Sequence, residues 1–158
     1  MDNINSIFTY GTLRADYNIN GDAWGVIDSV TDDCDCYYGK VHGYKLYQDR
    51  RLSYPFITPT YDNNDIVYGT LLEWNVEDGN NNIFLDKLKR CDEIEGFNRN
   101  NPLDGLYNRC IVEVTKLKKT KNLETNKCNA YIYYQNIDNV ILETCDYYKS
   151  GDWLSSVK

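Results

Sequence analysis

Histidine is nearly missing from this sequence, with His42 the only one in 158 residues. A Ser-His-Asp or Cys-His machine would have to be built on it, and no G-x-S-x-G elbow lies nearby. In the run Gly39-Lys40-Val41-His42-Gly43 it reads as a strand histidine on a solvated face, which leaves carboxylates and backbone groups to carry any chemistry. Positive charge is also scarce: 17 Lys and Arg stand against 24 Asp and Glu, a formal net charge of −7. The densest basic run, Lys116 to Lys121 (KLKKTK), is broken by a leucine and a threonine and reads as a solvated strand end or turn. Nucleic-acid binding through phosphate neutralisation is therefore not expected. Long hydrophobic runs are absent too. No segment approaches ~18 uninterrupted apolar residues, so no membrane span is expected. The start MDNINSIFTYGTL has neither the basic lead nor the apolar stretch of a signal peptide.

These absences point to one soluble, cytoplasmic domain over residues 1–158, long enough to bury a real core. In that compartment the six cysteines (Cys34, Cys36, Cys91, Cys110, Cys128 and Cys145) are expected to be free thiols, mostly packing residues. Cys34-Asp35-Cys36 is the one metal-like signal. A lone C-x-C lacks the second pair a zinc site needs, so neither a metal nor another cofactor is expected.

Tyrosine, by contrast, is plentiful: 15 Tyr accompany 4 Phe and 3 Trp, a content that suits strands with one buried and one wet face. Ser6 to Tyr10 (SIFTY) reads as a short strand stopped by Gly11. Tyr37 to Tyr47 reads as one strand whose glycines mark bulges or bends. Ser53 to Tyr61, with two prolines, reads as an edge strand or an irregular extended segment, and Asp65 to Trp74 as a further strand. A polar loop through Asn82 follows, and then the periodicity changes. Ile83, Phe84, Leu85, Leu88 and Ile94 fall near one helical face, with Asp86, Lys87, Lys89, Arg90 and Asp92 opposite. Asn82 is the expected N-cap and Gly96 the expected stop. After a loop over residues 97–105, Leu106 to Leu117 and Ala130 to Gln135 read as strands, and Ser150 to Trp153 (SGDW) as a turn that docks its tryptophan. The fold class is α+β: a small mixed β-barrel or strongly curved sheet with one main helix alongside.

Several motifs occur in a telling order. Tyr10-Gly11-Thr12-Leu13-Arg14 follows the first strand, and Val67 to Trp74 (VYGTLLEW) forms a core strand with one glycine. The helix ends Asp92-Glu93-Ile94-Glu95-Gly96, Tyr107-Asn108-Arg109 opens a Val/Ile-rich strand, and the chain closes on Ala130 to Tyr134 (AYIYY) and SGDW. This order, over nearly the whole chain, resembles the γ-glutamylcyclotransferase-like family, which includes γ-glutamylamine cyclotransferases and related plant and bacterial proteins. The resemblance implies a reaction in which a γ-glutamyl amine or γ-glutamyl amino acid cyclises to 5-oxoproline and releases its amine. The family's Y-G-[ST]-L loop matches Tyr10, Gly11, Thr12 and Leu13, implied to bind substrate. Its catalytic glutamate matches Glu95, and its Y-x-R pair matches Tyr107 and Arg109, the arginine at least half structural. Arg14 after the loop is more similar to the γ-glutamylamine branch than to the glutathione-specific one.

The chemistry stands on its own terms as well. The substrate's α-amine must lose a proton before it attacks its own γ-carbonyl, and a partly desolvated carboxylate can take that proton and later return it. Because the nucleophile belongs to the substrate, the protein has chiefly to hold the cyclising conformer. A glycine turn at Gly11-Thr12-Leu13 offers N–H groups to a carboxylate or an oxyanion, with Gly11 permitting close backbone approach. A glutamate at a helix C-terminus opposes the macrodipole, so a functional reason suits Glu95; Asp92 and Glu93 are rival candidates. The alternative reading is a non-catalytic protein that sequesters a small polar metabolite in the same cavity.

Overall fold

Short runs of alternating apolar and polar residues become strands because each can bury one face and wet the other. The computed structural model describes residues 4–15, 34–52, 54–75, 82–96, 107–118, 124–136 and 142–154. Among them lie strands β1 (Ser6–Thr9), β2 (Asp35–His42), β3 (Tyr44–Asp49), β4 (Phe56–Pro59), β5 (Ile66–Glu73), β6 (Asn108–Leu117), β7 (Glu124–Tyr134) and β8 (Cys145–Tyr147), with helix α1 (Asn82–Glu95) between β5 and β6. Five strands close a barrel in the order β1-β5-β2-β6-β7, and the other three form a sheet in the order β4-β3-β8. The barrel is mixed, as expected: β1 runs antiparallel to β5, from Ser6 opposite Glu73 to Thr9 opposite Thr70, and parallel to β7 at Ile7 opposite Tyr131.

The period of two sorts neighbouring side chains into two cores. Phe8, Leu71 and Ile132 join Val41, Val67, Val114 and Ala130 in one. Ile7, Leu72 and Tyr133, each one residue away, join Trp74 and the helix residues Phe84, Leu88 and Cys91 in the other. The helix thus docks on the β1-β5-β7 side through Phe84, whose ring lies 5.8 Å from that of Trp74 and 6.1 Å from that of Tyr131. Burying one such side chain is worth roughly 1.5–3 kcal/mol.

Five sequence expectations need correction. Tyr37 to Tyr47 is two strands in different sheets, split at Gly43, whose φ of +92° is a conformation few other residues adopt. Gly39, expected to mark a bulge, pairs in register with Gly69 in an unbroken ladder. On the helix, Ile83, Leu85 and Ile94 are exposed. Steps of about 100° carry residues 83 and 85 to either side of Phe84, and the residues buried against the barrel form a narrow seam of Phe84, Leu88, Cys91 and Asp92. Asp92, expected on the polar face, is buried. The helix also opens at Asn82 itself, where the sequence placed the cap.

Other expectations hold. Gly96, with φ of +68°, ends the helix. The segment with two prolines supplies β4, an edge strand, where the missing N–H of Pro59 is tolerated. His42 is exposed at the end of β2, with Nδ1 2.9 Å from the Asn63 carbonyl oxygen. Trp153 docks by donating from Nε1 to Gln48 Oε1 at 2.7 Å. The loops expected at 77–81 and 97–105 and the lysines at 119 and 121 lie outside the described residues. Among the described residues no helix is long and apolar enough to cross a membrane.

Candidate active site

The end of β1 builds one wall of a cavity. Tyr10 is buried, and its hydroxyl donates to the Tyr133 carbonyl at 2.7 Å. The chain then turns, with the Arg14 amide donating to the Gly11 carbonyl at 3.0 Å. Within the turn, the amides of Gly11, Thr12 and Leu13 meet no acceptor among the described residues. Gly11 is required by its neighbour: a Cβ there would come within 2.8 Å of two carbons of the Pro55 ring. The sequence explained this glycine by close approach of the backbone to a substrate; within the protein itself the group it must admit is the Pro55 ring. The turn is pinned at both ends. Thr70 Oγ1 accepts from the Ala15 amide at 3.0 Å and lies 2.8 Å from Thr9 Oγ1. Arg14, buried, pairs through Nη1 with Asp152 Oδ1 at 2.7 Å. Asp152 of the SGDW turn thus serves as an anchor for the loop, a link invisible in the sequence because 138 positions separate the partners.

The end of α1 builds the opposite wall. Glu95 is the last helical residue, half-buried, and burial raises its carboxyl from an ordinary 4.5 to about 7. The Glu95 charge reaches Tyr10 and Tyr107, whose hydroxyls burial already pushes above their usual range. Tyr107, buried ahead of β6, donates to the Pro55 carbonyl at 3.0 Å and closes the cavity between the walls. The two rival carboxylates are otherwise engaged. Asp92 takes Arg109 Nη1 at 2.7 and 2.6 Å and the Tyr133 hydroxyl at 2.6 Å. Glu93 is exposed and lies 3.2 Å from Arg90.

The cavity encloses about 390 Å³ and brings together every site residue named from the sequence: Tyr10, Gly11, Thr12, Leu13, Glu95 and Tyr107. Arg109 does not line it. The sequence missed Tyr54, Pro55 and Tyr133, which line it together with residues of β1 and with Arg90, Glu93 and Ile94 of the helix. Pro55 was legible only as an edge-strand marker, and Tyr133 only as one tyrosine in a strand of them. Such a cavity offers a tyrosine-lined, largely apolar surround, a group of N–H donors and one carboxyl able to exchange a proton near neutral pH.

All six cysteines are free. Cys34 and Cys36 bring their sulfurs to 3.8 Å, and burial, then the neighbouring thiol, pushes Cys34 up to about 12. Among the described residues no three His, Cys, Asp or Glu side chains converge on a point that could hold a metal.

Barrel, docked helix and cavity together define a class of small barrel proteins with a cavity between a strand-end turn and a helix end. The chain belongs to the gamma-glutamyl cyclotransferase, AIG2-like family, whose model matches residues 7–155. Among solved structures it is similar to an AIG2-like protein from Mus musculus, with a TM-score of 0.60 at 16% identity over 98% of this chain and 92% of that one. Two Arabidopsis thaliana proteins known from solution structures are also similar. One has a TM-score of 0.53 at 22% identity, over 94% of this chain and 68% of its own. The other has 0.52 at 20%, over 89% and 73%. At these identities the likeness is one of fold. No curated protein matches the chain.

Proposed function

We propose that this chain cyclises a γ-glutamyl amine or γ-glutamyl amino acid to 5-oxoproline, with Glu95 as the acid/base and no cofactor. The observation that carries the reading is the facing of Glu95, raised by burial to about 7, across one cavity from the amides of Gly11, Thr12 and Leu13. A carboxyl near neutrality exists in both protonation states at working pH, which is what a group that first takes and then returns a proton needs.

In this mechanism Glu95 removes a proton from the substrate's α-ammonium. The freed amine attacks the γ-carbonyl carbon, and the C=O pair moves onto oxygen, where the amides of the turn stabilise it. The oxyanion collapses, the bond to the departing nitrogen breaks, and Glu95 returns its proton there. The second proton carried away by the released ammonium is the one the new ring nitrogen gives up. Tyr10 and Tyr107 shape the cavity and keep water from it.

The test is incubation with a panel of γ-glutamyl amines, γ-glutamyl dipeptides and glutathione, with 5-oxoproline as the readout. Turnover of at least one γ-glutamyl compound is expected. No turnover across the panel, with an unchanged small metabolite recovered from the purified protein by mass spectrometry, would favour a sequestering role instead.

A further inference from the structure

Three residues outside the proton-transfer step converge on the helix turn that carries Glu95. Asp92 precedes it by three positions, so the two are neighbours on the helix surface. The Asp92 carboxylate is buried against the barrel, held by both contacts from Arg109 Nη1 on β6 and by the Tyr133 hydroxyl on β7. That hydroxyl also lies 3.4 Å from the Leu88 carbonyl, one turn further back. Arg109 is itself seated on the Tyr131 ring, 4.9 Å from its centroid. Through its main chain, Tyr133 meets the other wall as well, because its carbonyl accepts from Tyr10 at 2.7 Å.

Resting on the acid/base reading of Glu95, we propose that Asp92, Arg109 and Tyr133 form a positioning network that fixes the Glu95 carboxyl relative to the amide turn. The last turn of a helix has carbonyls without helical partners and is the part that frays. Here it has no basic residue to interact with its dipole, and the residue after it is the positive-φ Gly96. A base on the final residue of such a turn needs a tether. Stability alone accounts poorly for this one, because a buried ion pair is often no better for stability than an apolar pair of similar size. Geometry accounts for it: a misplacement of ~1 Å can lower a rate about 100-fold.

The test therefore removes the polar tether while keeping the packing, and spares Tyr133 because it lines the cavity. In Asp92→Leu with Arg109→Met, thermal melting should show a folded protein. Its kcat should fall about 10- to 100-fold with KM within about 3-fold, and its crystal structure should show the Glu95 carboxyl displaced or spread over rotamers. An unchanged kcat with the carboxyl in its wild-type place overturns the inference, since a merely structural pair would move only the melting temperature. If the double variant does not fold, Arg109→Gln decides by the same two readouts, with a fall of about 10-fold expected and an unchanged rate overturning it. Should wild type turn over no γ-glutamyl compound, the cyclotransferase reading fails and the crystal structures alone decide the positioning: an unmoved carboxyl overturns it, a displaced one upholds it.

Discussion

The two walls of the cavity are made of different material. The turn after β1 presents main-chain amides and takes its shape from groups that press on it: the Pro55 ring against Gly11, Thr70 against Ala15, and Asp152 against Arg14. The end of α1 presents a side chain, and its shape comes from Asp92 held by Arg109 and Tyr133. Both walls are thus fastened by a buried ion pair to a residue far away in sequence, yet one offers fixed dipoles and the other a titratable group. Fixed dipoles bind and stabilise charge without changing state, whereas a carboxyl can move a proton. The division implies that damage to one wall should register in binding and damage to the other in rate.

The largest effect expected from breaking this division falls on the titratable wall. Glu95→Gln keeps size and much of the hydrogen-bonding capacity but cannot exchange a proton. Its kcat should fall at least ~100-fold, with KM for a γ-glutamyl compound nearly unchanged in steady-state kinetics. Near-normal turnover would remove Glu95 from the mechanism. The same variant sharpens the electrostatic argument. Because the folded state raises Glu95 from 4.5 to about 7, the folded protein holds its proton more tightly than the unfolded chain does. Wild-type stability from this group is intact below about 4.5 and declines as pH rises through about 7. Thermal melts should therefore find Glu95→Gln more stable than wild type at pH 8 and level with it near pH 4.5. A stability difference independent of pH would show that the carboxyl is not held in a desolvating site.

A smaller effect is expected at the backbone wall. Gly11→Val must displace the Pro55 ring or the turn itself, since the added Cβ meets ring carbons at 2.8 Å. Overpacking of this kind costs about 1–3 kcal/mol, and the moved amides should raise KM roughly tenfold, an energy on the same scale. A fall in kcat with KM unchanged would contradict the assignment of binding to this wall. The smallest effect is expected far from both. With all six cysteines free, no cross-link closes a loop of the unfolded chain. A reducing agent should leave the melting temperature unchanged, and peptide mapping should find no intramolecular disulfide.

The residues most legible in the sequence are those whose chemistry is local. Tyr10 to Leu13 announce a strand stopped by a turn, and Gly96 announces a helix end; both lie where they were expected. Strand β8 was not legible, because three residues (Cys145–Tyr147) are too few to display a period. Asp92 was misplaced on the helix for a different reason. Periodicity sorts charged residues to the wet face, and nothing near Asp92 in sequence reveals that Arg109 and Tyr133 will meet it there. Arg14 was legible only as part of a motif, its partner Asp152 lying at the opposite end of the chain.

By itself, then, the sequence determined the class of fold, the order of elements and the residues able to do chemistry, because propensity, turn chemistry and titratable groups are properties of short segments. The tertiary structure decided which of three neighbouring carboxylates is desolvated inside the cavity. Asp92 turns toward the barrel and an arginine, Glu93 lines the cavity from the solvent side beside Arg90, and Glu95 is buried toward the tyrosines and the amide turn. That choice depends on barrel closure, which sets β1, β6 and β7 around one helix end, and on the burial that only such closure supplies. Desolvation is what lifts Glu95 toward neutrality, and no arrangement of residues along a chain can produce it before the chain has folded.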